Sequence, residues 1–203
     1  MIVAENHYIV EHMRGRFIVL EGPDGSGTTT HSEILAQKLT EKGENILLTQ
    51  EPTNGPIGLF IRQQLSLGTM TAAPLQMLFS ADRAWHLGTI IEPALNEGKT
   101  VISDRYTLST LLYGQALGLD LQWLEDMNTK FIQPDLHIVA LPSFEVCFNR
   151  VNGRDIKDML ETESIQRKVY DRYAAYVHAH QLTVLDTAGS LQEVSDQLMA
   201  LVA

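Results

Sequence analysis

The sequence predicts an α/β fold in which a parallel sheet is covered by helices on both faces. Three observations carry this. Short apolar runs alternate with longer segments of helical spacing; a glycine-rich turn follows the first apolar run directly; and no repeat, low-complexity tract or linker interrupts the 203 residues. Strands separated by helices require right-handed crossovers, which build a parallel sheet. In such sheets ligands bind beyond the carboxyl ends of the strands, so chemistry is to be sought in the residues that follow each strand.

Each element has its own signal. Phe17-Ile18-Val19-Leu20 is a run of buried-strand type, and Gly22 to Gly27 follows it. Thr29 to Lys42 has helical spacing, with Ile34, Leu35 and Leu39 on one face, and Lys42-Gly43 fits a helix stop. Asn45 to Gln50 predicts the second strand, and Pro56–Leu67 and Pro74–Glu97 predict helices. Thr100–Ser103, Leu136–Leu141 and Thr183–Leu185 complete a five-stranded sheet. After Gly153, Ile165, Val169, Tyr173 and Val177 recur every four residues, the spacing of a helix face packed into a core. Residues 1–15 read as an extension with no function attached, and 16–203 as one domain.

Composition narrows the function classes. With 44% hydrophobic and 20% charged residues the chain can form a core. Fifteen Lys+Arg against 25 Asp+Glu give a net charge of -10, which argues against a nucleic-acid polymer as partner but not against a small anion held by a few arginines. The single cysteine, Cys147, excludes an intrachain disulfide and reads as a small buried hydrophobe. No apolar run approaches the ~20 residues of a membrane span. Met1 to Arg16 carries Glu5, His7, Glu11 and His12, unlike a secretory signal, so the expected location is cytoplasmic.

The first strand runs into Gly22-Pro23-Asp24-Gly25-Ser26-Gly27-Thr28-Thr29-Thr30. Gly22 and Gly27 stand five apart before a helix, the spacing of the phosphate-binding loop G-x-x-x-x-G-K-[ST]. Glycines let successive N–H groups converge on one oxyanion, and the helix N-terminus adds partial positive charge. Thr29 occupies the position whose hydroxyl would hold Mg²⁺. The loop lysine is replaced by Thr28, which cannot supply a charge to the phosphates.

The other strand ends carry polar groups as well. Glu51-Pro52-Thr53 follows the second strand, with Gly58 and Arg62 beyond it; Asp104-Arg105-Tyr106 follows the third, with Ser109 and Tyr113 beyond it. Between them, Phe79 and Arg83 are four apart and share a helix face. A ring beside a guanidinium suits a planar base, although the pair also fits a core ring with a solvated cation. Arg150, Arg154 and Lys157 surround Gly153 and read as a basic flap over about 150–160, or equally as an ordinary charged loop.

Together these pieces resemble the thymidylate kinase family from about Arg16 onward. The carriers, in order, are F-I-V-L-E-G-P-D-G-S-G, E-P-T with G-x-x-I-R, L-F-S-A-D-R, V-I-S-D-R-Y-x-x-S, P-D-L and a lid bracketed by R-x-x-x-R. The resemblance implies a P-loop NTPase-type three-layer α/β/α fold. It implies phosphorylation of dTMP to dTDP with ATP and Mg²⁺, toward dTTP, in a homodimer. A monophosphate kinase of other base choice, or a nucleotide-binding protein with lapsed catalysis, stays open.

The family's roles fall on matching residues. Gly22, Pro23, Asp24, Gly25, Ser26, Gly27, Thr28, Thr29 and Thr30, with Arg150, would bind ATP; Thr29 and Asp104 would hold Mg²⁺. Asp24 would accept from the nucleotide 3′-OH, and Glu51 would lie near the monophosphate. Pro52 would limit space around the base. Arg62 and Arg105 would clamp the acceptor phosphate, with Asp104 and Arg105 in the reaction centre. Phe79 would stack on thymine, Arg83 would read a base carbonyl, Ser109 would help hold the base, and Tyr113 would lie under the deoxyribose. Gly25 stands where one branch of the family keeps an arginine, so the chain resembles the lid-arginine branch usual in bacteria. Thr28 departs from the pattern, as do Leu112, Gly114 and Gln115 around Tyr113 and the non-acidic Leu141-Pro142. The expected compensation for Thr28 is a lid cation: Lys157, Arg150 or Arg154.

Overall fold

The computed structural model describes residues 14–154 and 158–203. The expectations for residues 1–13 and for Lys157 lie outside the described residues. Five strands form one parallel sheet: β1 (Phe17–Glu21), β2 (Ile46–Gln50), β3 (Thr100–Asp104), β4 (Leu136–Ala140) and β5 (Thr183–Leu185), in the spatial order β2-β3-β1-β4-β5. The predicted α/β class and strand count are therefore observed, with boundaries shifted by a residue.

Both faces of the sheet are covered, which explains why its strands read as unbroken apolar runs. Ile18 and Leu20 of β1, Ile102 and Ile138 face α1 (Thr28–Glu41) and α9 (Leu191–Val202). Phe17, Val19 and Val101 face the opposite layer, where Leu87, Ile91 and Leu95 meet them. A third cluster joins α2 (Pro56–Leu67), α3 (Ala72–His86), α5 (Thr107–Ala116) and α8 (Glu163–His180). The predicted stripe of α8 packs there, with Val169 and Tyr173 buried and Ile165 and Val177 partly so.

The long helix expected over Pro74–Glu97 differs in one respect. It begins at Ala72 and widens into a π-turn at Leu87–Ile91 before α4 (Glu92–Asn96). There the N–H of Glu92 reaches back to the carbonyl of Leu87. The widening precedes Pro93, whose ring lacks an N–H and would crowd the carbonyl four residues earlier in a regular helix.

Register levels the strand ends. Leu20 and Gln50 both align with Asp104, and Glu21 aligns with Val139. The residues following β1, β2 and β3 thus emerge side by side at the carboxyl edge. The chain leaves β3 for β4 across β1, so the glycine loop after β1 sits at the point where the strand order reverses.

Candidate active site

A cleft of about 470 Å³ opens at this edge. Its walls bring together nearly every residue singled out in the sequence: Asp24, Gly25, Gly27, Thr28, Thr29 and Thr30 from the loop; Glu51, Pro52, Arg62, Phe79 and Arg83; Asp104, Arg105, Ser109 and Tyr113; and Arg150 and Arg154. Gly22, Pro23 and Ser26 of the loop are buried and do not line the cleft.

Close packing requires the loop glycines. Gly25 and Gly27 have φ of 79° and 91°, which L side chains rarely adopt. A Cβ at Gly25 would lie 2.3 Å from the carbonyl oxygen of Cys147 in α7 (Phe144–Asn152), and one at Gly22 would lie 2.5 Å from that of Ala140. The loop is pinned from outside by Thr187, whose hydroxyl donates to the Ser26 carbonyl at 2.6 Å. Arg150 donates to the carbonyl of Gly25 at 3.2 Å and to that of Thr187 at 2.7 Å. A cation therefore already rests on the lysine-free loop. His31 is buried beneath it, and burial, then the charge of Arg150, hold its pKa below the ordinary value.

Thr29 donates to Oδ2 of Asp104 at 2.5 Å. The other carboxylate oxygen of Asp104 is buried with no hydrogen-bond partner among the described residues. No group of three or more His, Cys, Asp or Glu able to hold a metal occurs among them either. This donor set fits Mg²⁺, which keeps water and phosphate oxygens and takes only one or two protein ligands.

Arg105 is turned into the cleft by a backbone φ of 73°, a conformation that costs of order 1–3 kcal/mol in a non-glycine residue. Its guanidinium donates to the Gly22 carbonyl at 2.7 Å, to Ser109 at 3.1 Å and to Asp24 at 2.6 Å. It thereby ties the third strand end to the phosphate loop. The Asp24 N–H donates to the Tyr113 hydroxyl at 3.0 Å. Burial raises the Tyr113 pKa well above the ordinary value, so the phenol stays neutral.

Arg83 is only 1% exposed, and four residues hold its guanidinium. It pairs with Glu51 at 2.7 Å and donates to Asn128, to the Tyr106 carbonyl at 2.8 Å and to Thr110 at 3.0 Å. The other oxygen of Glu51 meets His86 at 3.1 Å. The solvated alternative for Arg83 is thus excluded. Asp82 accepts from both the N–H and the hydroxyl of Thr53 at 2.7 Å, so the A-D-R and E-P-T segments clasp each other. Arg62 donates to the Pro52 carbonyl at the cleft mouth. Beyond α7, Arg154 pairs with Glu161.

Several residues escaped the sequence reading. Glu21, at 0% exposure, accepts from the Ser109 hydroxyl at 2.5 Å and from the Tyr173 hydroxyl at 3.1 Å, besides the N–H groups of Tyr106 and Ser109. Its place at the end of β1, inside the quoted E-G-P-D run, was the available signal. Tyr173 fills its predicted core stripe while its hydroxyl enters this network. Asn128, Thr187 and Glu161 gave no local signal, because their partners are far away in sequence.

A glycine-rich loop at the switch point of a parallel sheet, opening on a cleft lined by Arg62, Arg83, Arg105, Arg150 and Arg154, has the features of a P-loop nucleoside-monophosphate kinase. A family model described as thymidylate kinase matches residues 20–198. The chain is 38% identical over 198 residues to the probable thymidylate kinase of Pyrococcus horikoshii, covering 94% of this chain and 97% of that one. It is 36% identical over 197 residues to that of Thermococcus onnurineus, covering 92% and 96%. It is 37% identical over 190 residues to the thymidylate kinase of Carboxydothermus hydrogenoformans, covering 90% and 94%. The chain belongs to the thymidylate kinase family. No helix among the described residues is long and apolar enough to cross a membrane.

Proposed function

We propose that the protein transfers the γ-phosphoryl group of ATP to dTMP, giving ADP and dTDP. The observation that supports this best is the acceptor wall: Phe79 and Arg83, on one face of α3, line the same cleft as the Arg105–Asp24 pair and the phosphate loop. One cleft thus offers a ring for a flat base and guanidinium groups for a phosphate.

The reaction forms a bond from an acceptor phosphate oxygen to the γ-phosphorus and breaks that to the bridging oxygen of the leaving ADP. Most of the catalysis in such transfer is positioning and charge stabilisation. The loop N–H groups and Thr30 hold the donor phosphates, while Arg62 and Arg105 hold the acceptor phosphate. Thr29 and Asp104 would hold Mg²⁺, which would neutralise phosphate charge. Asp24 would accept from the nucleotide 3′-OH, and Tyr113 and Ser109 would contact the sugar and base. Lid cations (Arg150, Arg154 and Lys157) supply the charge that Thr28 lacks. A cytoplasmic location and a homodimer complete the reading. Exposed Leu59, Phe60 and Leu67 on α2 and Met77 on α3 are apolar surface that pairing of two copies would cover.

The test is ADP release with ATP, Mg²⁺ and a panel of dTMP, dUMP, dCMP, dAMP and dGMP. The fastest turnover is expected with dTMP. Faster turnover with another acceptor would overturn the base assignment, and tight binding without turnover would overturn the activity.

A further inference from the structure

Gln76 lies one turn before Phe79 and two turns before Arg83 on α3, so the three share a face, and all three line the cleft. The Gln76 residue is 0% exposed, and neither its amide nitrogen nor its amide oxygen has a hydrogen-bond partner among the described residues. The other side chains in that condition lack a partner at one atom only. Burying a carboxamide with both ends unpaired is strongly unfavourable, and its neighbour Leu75 shows that an aliphatic side chain packs in this layer. The amide lies just beneath the cleft surface. Its side-chain torsions let it turn outward while α3 stays fixed.

We propose that Gln76 is a specificity-determining contact to the acceptor base, a proposal that rests on the dTMP reading above. A carboxamide presents a donor beside an acceptor. Its complement is the adjacent N3–H and C4 carbonyl of thymine or uracil. Cytosine offers the reverse pair, N3 as acceptor beside an amino donor, and an amide with no protein partner can rotate to suit either. The choice is then fixed by Arg83, whose guanidinium only donates and so favours a carbonyl over an amino group. Gln76 supplies affinity for the base edge, and Arg83 supplies its polarity.

The test compares the wild-type protein with Gln76→Leu and Gln76→Glu by titration calorimetry. The probes are dTMP and 2-deoxyribose 5-phosphate, which carries no base. Gln76→Leu is expected to weaken dTMP about tenfold, the loss of one to two buried hydrogen bonds. It should leave the base-free probe within twofold and raise the melting temperature of the unliganded protein. Gln76→Glu keeps an acceptor for N3–H and loses the donor, so a smaller loss confined to dTMP is expected. Unchanged dTMP affinity in both variants overturns the proposal, as does an equal loss for the two probes. If Gln76→Leu fails to fold, the two probes on Gln76→Glu decide alone. A wild-type protein that binds dTMP through Gln76 without turnover overturns the activity reading and leaves this contact standing. A wild-type protein that binds no dTMP overturns both.

Discussion

Asp158 shows how one residue's surroundings can reverse its ordinary behaviour. It lines the cleft beside the lid, accepts from the N–H of Leu160 at 2.8 Å, and has Asp24 and Glu161 among its electrostatic neighbours. Burial pushes its carboxyl up to about 6, so the neutral acid is favoured in the fold. Between about pH 4 and pH 6 the folded protein keeps a proton that the unfolded chain releases. By linkage this group's contribution makes stability fall as pH rises through that window, opposite to a salt-bridged aspartate. Thermal unfolding from pH 4 to pH 7 should show a relative gain for Asp158→Asn that grows with pH and levels off above about 6. Parallel wild-type and variant curves would mean that folding leaves the Asp158 pKa unchanged. No sequence rule could have given this, because the shift is set by neighbours brought close in space.

At the scale of elements, the glycine loop and α7 are in direct contact. Thr28 removes the loop's own cation, and Arg150, on the last turn of α7, reaches across to the Gly25 carbonyl. Arg154 is held by Glu161 and would have to leave that pair to approach the phosphates. Loss of one aligned charge-stabilising group typically costs ~10²–10³ in rate. Arg150→Ala and Arg154→Ala are each expected to lower kcat by about that range, with a smaller change in KM for dTMP. Steady-state kinetics on these variants and on Lys157→Ala decides the matter. Unchanged turnover in all three would show that no lid cation replaces the loop lysine. The glycine spacing made the loop legible, because a carbonyl oxygen 2.5 Å from a would-be Cβ at Gly22 and a φ of 91° at Gly27 leave glycine little competition. The docking of α7 against it was not legible, since nothing near Arg150 in sequence points to Gly25.

At the scale of the whole molecule, the proposed homodimer makes a direct prediction. Light scattering at micromolar concentration should give about twice the chain mass of 22.7 kDa, and a single-chain mass would refute the pairing. The net charge of -10 also takes on local meaning, for Arg62, Arg83, Arg105, Arg150 and Arg154 all line one cleft. By itself the sequence determined the α/β class, the five strands and the positions after β1, β2 and β3 where polar chemistry gathers. Those features follow from local rules: strands buried on both faces must be apolar, and a tight anion-binding turn needs glycine at fixed spacing. Only the tertiary structure decided which groups meet. It placed Glu21 under Ser109 and Tyr173, locked Arg83 between Glu51 and Asn128, and left Gln76 buried and unpaired in the cleft wall. Hydrogen-bond partners are chosen by distance in space, and residues separated by 32, 45 or 152 positions are neighbours only once the sheet and its helices have closed.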